Sequence, residues 1–148
     1  MSIKLKLEGF DDLLKQIEKA GGKIESVTTT CLQKSASIME MELKEEMQKS
    51  NVDKGLINAM PHSEIERDYG LITARVGYRK GTYDPNNLSD GYKVVFVNYG
   101  TPYRKKHGKI EGKTVRMGFI QRAKSKANKK IKEQQSEALQ EILKGLKQ

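Results

Sequence analysis

Few side chains in this sequence are suited to chemistry, and their spacing limits what they could do. There are two histidines, His62 beside a proline and His107 inside a cationic stretch, and one cysteine, Cys31. None of the three lies at the short spacings that zinc ligands usually show. Cys31 falls on the apolar stripe of a helical pattern, where a thiol is ordinarily buried and inert. The acid pairs Asp11/Asp12 and Glu45/Glu46 fall at helix ends or on exposed helix faces, where solvated charge accounts for them. Gly77, Gly81 and Gly91 lack the strand–glycine–helix context of a phosphate-binding loop. The expectation is a protein that is not an enzyme, with no catalytic residue, cofactor or metal.

What remains is charge. Between Thr101 and Lys132, twelve Lys or Arg stand against one acid, Glu111, giving that segment +11 in a chain of net charge +9 and leaving −2 for the rest. Such a segment suits phosphates or an acidic protein rim. Tyr99, Tyr103 and Phe119 are interleaved with it and could stack on bases. The candidate contacts to a partner or to DNA are Tyr99, Tyr103, Arg104, Lys105, Lys106, Lys109, Lys113 and Arg116. Against this stands the plain alternative that Lys124, Lys126, Lys129, Lys130 and Lys132 form a solvated helix face.

Periodicity indicates the elements that must hold these residues. Ile3, Leu5 and Leu7 alternate with Lys4, Lys6 and Glu8, a half-buried strand. Phe10, Leu13, Leu14 and Ile17 recur at helical spacing, and Gly21-Gly22 ends that helix. A longer helix is expected from Ile24 to Lys49, on the stripe Ile24, Thr28, Leu32, Ala36, Met39, Leu43 and Met47, with Glu40, Glu42, Glu45 and Glu46 toward its outer side and end. Asn51 to Gly55 reads as a turn, and Leu56 to Met60 as a further helical turn or an extended lead-in. Two strands, His62–Arg67 and Leu71–Tyr78, flank the turn Asp68-Tyr69-Gly70. Tyr92–Tyr99 is the most continuously apolar run and is expected as a central strand. Long loops are expected at 80–91 and 101–116, and a last helix from about Gly118 to Leu146.

The whole is one domain over residues 1–148: an α+β fold with a small, mostly antiparallel sheet of about four strands packed against the long helix of the N-terminal half and the long C-terminal helix. Only 36% of residues are hydrophobic and 32% are charged, so the core is thin for the length. One cysteine excludes an internal disulfide and fits a reducing compartment. No run approaches the roughly 20 apolar residues of a membrane span, and the alternating N-terminus does not read as a signal peptide.

Four landmarks carry a resemblance. Leu7-Glu8-Gly9-Phe10-Asp11-Asp12-Leu13-Leu14 enters the first helix, and Val52-Asp53-Lys54-Gly55-Leu56 follows the long one. Val76-Gly77 ends a strand, with Val97-Asn98-Tyr99-Gly100-Thr101 further on, and Gly118-Phe119-Ile120-Gln121-Arg122-Ala123 opens the final helix. In order and spacing they resemble the head–tail joining, or tail-completion, family of phage morphogenesis proteins of long-tailed siphophages and prophages. The chain departs from the family pattern at Asn51, Lys54, Asn98 and Gly118, and its loop after Thr101 is longer and more basic.

The resemblance implies a non-enzymatic structural protein of virion assembly. It would join the head connector to the tail as an oligomeric ring, often of six copies, around the DNA channel, and the free subunit would be monomeric. It implies phage connector and tail-tube proteins as partners, non-specific DNA contact, no membrane, and a location at the head–tail interface of the virion after assembly in the host cytoplasm. Gly9, Asp53, Gly55, Gly77, Gly100 and Thr101 would be fold-setting turns. The alternative from composition is a sequence-independent nucleic-acid-binding module using the basic segment 104–132. A ribonuclease built on His62 or His107 is a third reading, for which no partnering acid or base can be named.

Overall fold

The computed structural model describes residues 2–79, 89–99, 104–106, 109–111 and 118–148, with backbone alone at 96, 104–106 and 109–111. Its two long helices follow from their stripes. Helix α2 spans Ile24–Lys49, the bounds the sequence pattern predicts, and buries Val27, Cys31, Leu32, Ala36, Met39, Leu43 and Met47. Its end is set by Asn51, which takes a left-handed φ of 56°. The Val52 amide then donates to the Met47 carbonyl at 3.0 Å and the Asn51 amide to Gln48 at 3.1 Å, which satisfies carbonyls the helix leaves open. Helix α5, Phe119–Lys147, buries Phe119, Ile120, Ala123, Ala127, Ile131, Ala138, Leu139 and Leu143. Contacts from Glu46 to Lys126, Glu42 to Lys130 and Ser35 to Gln135 show that α2 and α5 run antiparallel.

Three strands form the sheet in the order β1–β3–β2, with both pairings antiparallel: β1 (Ser2–Leu5), β2 (Glu64–Asp68) and β3 (Leu71–Gly77). The β2–β3 turn holds Tyr69 at φ 48° and Gly70 at φ 79°, the twist that a tight hairpin needs. One face of the sheet meets α2. Ile3, Ala74 and Val76 join Leu32, Ala36, Met39, Leu43, Phe119 and Ile131 in the main core. A smaller cluster of Ile17, Val27, Cys31, Ala138, Leu139 and Leu143 lets helix α1 (Asp11–Lys19) close the far end of the α2–α5 pair. The one-turn α3 (Lys54–Asn58) starts at Asp53, whose carboxylate accepts from the Leu56 amide at 3.2 Å.

The α+β class and the antiparallel sheet match expectation, whereas several details do not. Tyr92–Tyr99 is not a strand: Asp90–Tyr99 is helix α4. Its inward residues Gly91, Val94 and Asn98 are spaced for one face of a helix, with Val97 packed against the core beside them. The predicted loop at 80–91 therefore ends earlier than expected, and residues 80–88 lie outside the described residues. Among the described residues the main sheet has three strands where about four are expected, and the expected loop 101–116 contains a separate two-stranded ribbon, β4 (Arg104–Lys106) with β5 (Lys109–Glu111). The outward placing of α2's acids is also wrong for two of them. Glu42 and Glu46 are buried, because that side of α2 faces the cations of α5.

Candidate functional site

The basic segment divides according to what lies opposite each cation. Glu46, 2% exposed, receives Arg122 Nε on Oε2 at 3.0 Å, Lys126 Nζ on Oε1, and Lys49 on the same oxygen at 3.8 Å. One turn along, Lys130 bonds to Glu42. Arg122 also donates to Ser50 Oγ at 2.6 Å, so the series runs to the end of α2. The bond from Lys126 is the main reason the Glu46 carboxyl titrates below its ordinary value of 4.5, with Arg122 adding to it against the cost of burial. Lys126 and Lys130 are raised in turn by the carboxylates they meet. Three cations of the basic segment, Arg122, Lys126 and Lys130, therefore hold α5 to α2, two of them from what reads in the sequence as a solvated helix face.

Further along this interface the contacts are neutral. Ser35 Oγ donates to Gln134 Oε1 at 2.7 Å and accepts from Gln135 Nε2 at 3.1 Å, and Gln135, 3% exposed, also reaches the Lys6 carbonyl at 3.4 Å. That last bond ties the chain just after β1 to α5. Cys31 lies one turn before Ser35, fully buried, and burial raises its thiol above the ordinary range, as an inert packing role requires.

The other side of α5 is different. Between it and β1, which is an edge strand, runs a groove of about 580 Å³. Ile3, Met39 and Ile131 are its buried apolar lining, and Lys4, Lys6, Lys124 and Lys132 stand exposed along it with one acid, Glu8. Among the described residues none of these four lysines makes an ion pair. Sequence reasoning missed the groove because Lys4 and Lys6 lie more than a hundred residues from Lys124 and Lys132, and only the packing of β1 beside α5 unites them.

Of the other candidates, Tyr99 is half-exposed at the end of α4. The ribbon sets Arg104 opposite Glu111, Lys105 opposite Ile110 and Lys106 opposite Lys109. Gly100, Thr101, Tyr103, His107, Lys113 and Arg116 lie outside the described residues. Gly9 and Gly77 have φ of 83° and 111°, Asp53 caps α3, and Gly55 is inside α3, where an added Cβ would meet Asp53 Oδ2 at 2.9 Å. His62 is exposed. Among the described residues no three His, Cys, Asp or Glu side chains converge as a metal-binding group.

One polar residue, marked in the sequence only as a departure from the family pattern, proves structural. Helix α5 starts at Gly118, which has φ 63° and no side chain to cap with. Asn98, fully buried, does this from α4: its Oδ1 accepts from the Ile120 amide at 3.0 Å, its Nδ2 donates to Gln121 Oε1 at 3.1 Å, and its carbonyl accepts from the Gly118 amide at 3.0 Å.

Comparison with known proteins finds no family model, no curated protein and no solved structure that matches this chain.

Proposed function

We propose that this protein is a non-enzymatic component of phage assembly that joins the head connector to the tail, working as a ring around the DNA channel. What supports the reading is the four sequence landmarks together with where their residues sit. Gly9 precedes α1, Asp53 caps α3 after α2, Gly77 ends β3 and Phe119-Ile120 open α5 inside the core. These are positions that set the directions of elements. An adaptor needs such rigid directions, and it needs edges and loops left for neighbours. β1 and β2 are both edge strands, open to other subunits on the side away from β3.

The test is complementation. A phage lacking this gene should accumulate filled heads and finished tails that stay apart, and the purified protein added to that lysate should restore infectious particles. Joined but inactive particles, or an arrest before DNA filling, would overturn the proposal.

One observation favours the second reading, sequence-independent nucleic-acid binding. The β4–β5 ribbon carries Arg104, Lys105, Lys106 and Lys109 on a two-stranded scaffold, of a width the DNA major groove admits. Binding to a DNA duplex at two salt concentrations separates the two. Tight binding to duplexes of any sequence at the lower salt favours the nucleic-acid-binding module, whereas weak binding that is lost at the higher salt fits a ring threaded by DNA.

A further inference from the structure

We infer that the groove between β1 and α5 receives an extended, acidic segment of a partner polypeptide, which adds to the sheet as a strand beside β1. The inference does not depend on the assembly reading.

Three features point to it. First, β1 is an edge strand among the described residues, so every second backbone amide and carbonyl faces away from β3 and has no sheet partner among them. The Lys6 carbonyl points toward α5, since Gln135 reaches it there, and alternation along the extended chain puts the backbone groups of Lys4 and Ser2 on the same side. Main-chain donors and acceptors are therefore available on the groove wall.

Second, the groove has the form that strand addition needs. An edge strand forms one wall and a helix the other, the apolar surface comes from Ile3, Met39 and Ile131, and the volume is about 580 Å³. The four residues of β1 offer a track of roughly 13 Å at the usual strand rise. An extended chain fits such a track, whereas a nucleic-acid strand would gain nothing from the backbone amides.

Third, the rim has one sign. Lys4 and Lys6 project from the strand side and Lys124 and Lys132 from the helix side, against Glu8 alone. A segment alternating acidic and apolar residues meets both features at once, with apolar side chains toward the floor and carboxylates toward the lysines. Exposed rim charges act mainly on encounter and specificity, so binding weakens with added salt.

The experiment uses the full chain and a short fluorescein-labelled peptide alternating Glu with Val, followed by anisotropy and by amide chemical shifts. The expected result is binding that shifts the amides of Ser2 to Lys6 and of the α5 turn at Lys124 to Asn128. Lys124→Glu with Lys132→Glu should weaken it roughly tenfold without lowering the melting temperature, because both side chains are exposed. N-methylation of alternate peptide amides should abolish it, which a purely electrostatic contact would not show. The inference fails if the peptide does not bind, if N-methylation leaves affinity unchanged, or if a DNA duplex and not the peptide responds to the charge reversals. Self-association through the same lysines, with no response to the peptide, also overturns it.

Discussion

Lys126 and Lys130 lean onto buried acids of α2, whereas Lys124 and Lys132, each two positions away on the same helix, stand over the groove beside β1. The residue type, the helix and the local sequence are alike, yet one pair is structural and the other is left for solvent or a ligand. The difference lies in the opposing surface. Across from Lys126 and Lys130 a helix presents carboxylates, while across from Lys124 and Lys132 strand β1 and the residue after it present two further lysines. A count of basic residues therefore overstates the surface that this protein can offer a polyanion.

The strongest way to break the comparison is to remove the start of the helix that carries both faces. Asn98→Ala leaves the Ile120 amide without its acceptor in a buried site and should cost about 2 kcal/mol, measured by denaturant unfolding. Next comes the paired face alone. Glu46→Ala should cost about 1–2 kcal/mol, less than for a fully enclosed pair, because Arg122 and Lys126 are close enough to solvent to hydrate once released. Acid should sharpen this result. The folded Glu46 titrates below 4.5, so its contribution is complete above that value and is lost as pH falls through the lower folded one. The gap in melting temperature between the wild type and Glu46→Ala should accordingly be full at neutral pH and close on acidification. The smallest effect belongs to the groove. Lys124→Ser with Lys132→Ser should change stability by no more than about 0.5 kcal/mol, and a larger loss would mean that the two faces do not differ as described.

The long helices were legible because their stripes are long enough to fix period and phase together, and α2 ends where its pattern ends. Tyr92–Tyr99 was misread for a physical reason. Val94, Val95 and Val97 favour strands locally, and a short apolar run does not declare its period. The helical spacing of Gly91, Val94 and Asn98 was the signal available. In sequence Glu42 and Glu46 read as solvent-facing because a buried carboxylate is rare and its partners lie some eighty residues away. The groove was beyond reach for a similar reason, since no local pattern in Lys4 or Lys6 announces α5 as a neighbour.

The clamp between Asn98 and Gly118 has a consequence for how this protein can vary. It fixes the exit of one helix and the entry of the next within hydrogen-bond distance. The polypeptide between those two anchor points can therefore lengthen, shorten or change composition while both frames stay still, and each doubling of such an insert costs only about 0.6 kcal/mol in closure entropy. A peptide tag spliced between positions 99 and 117 should accordingly leave the melting temperature of the rest nearly unmoved.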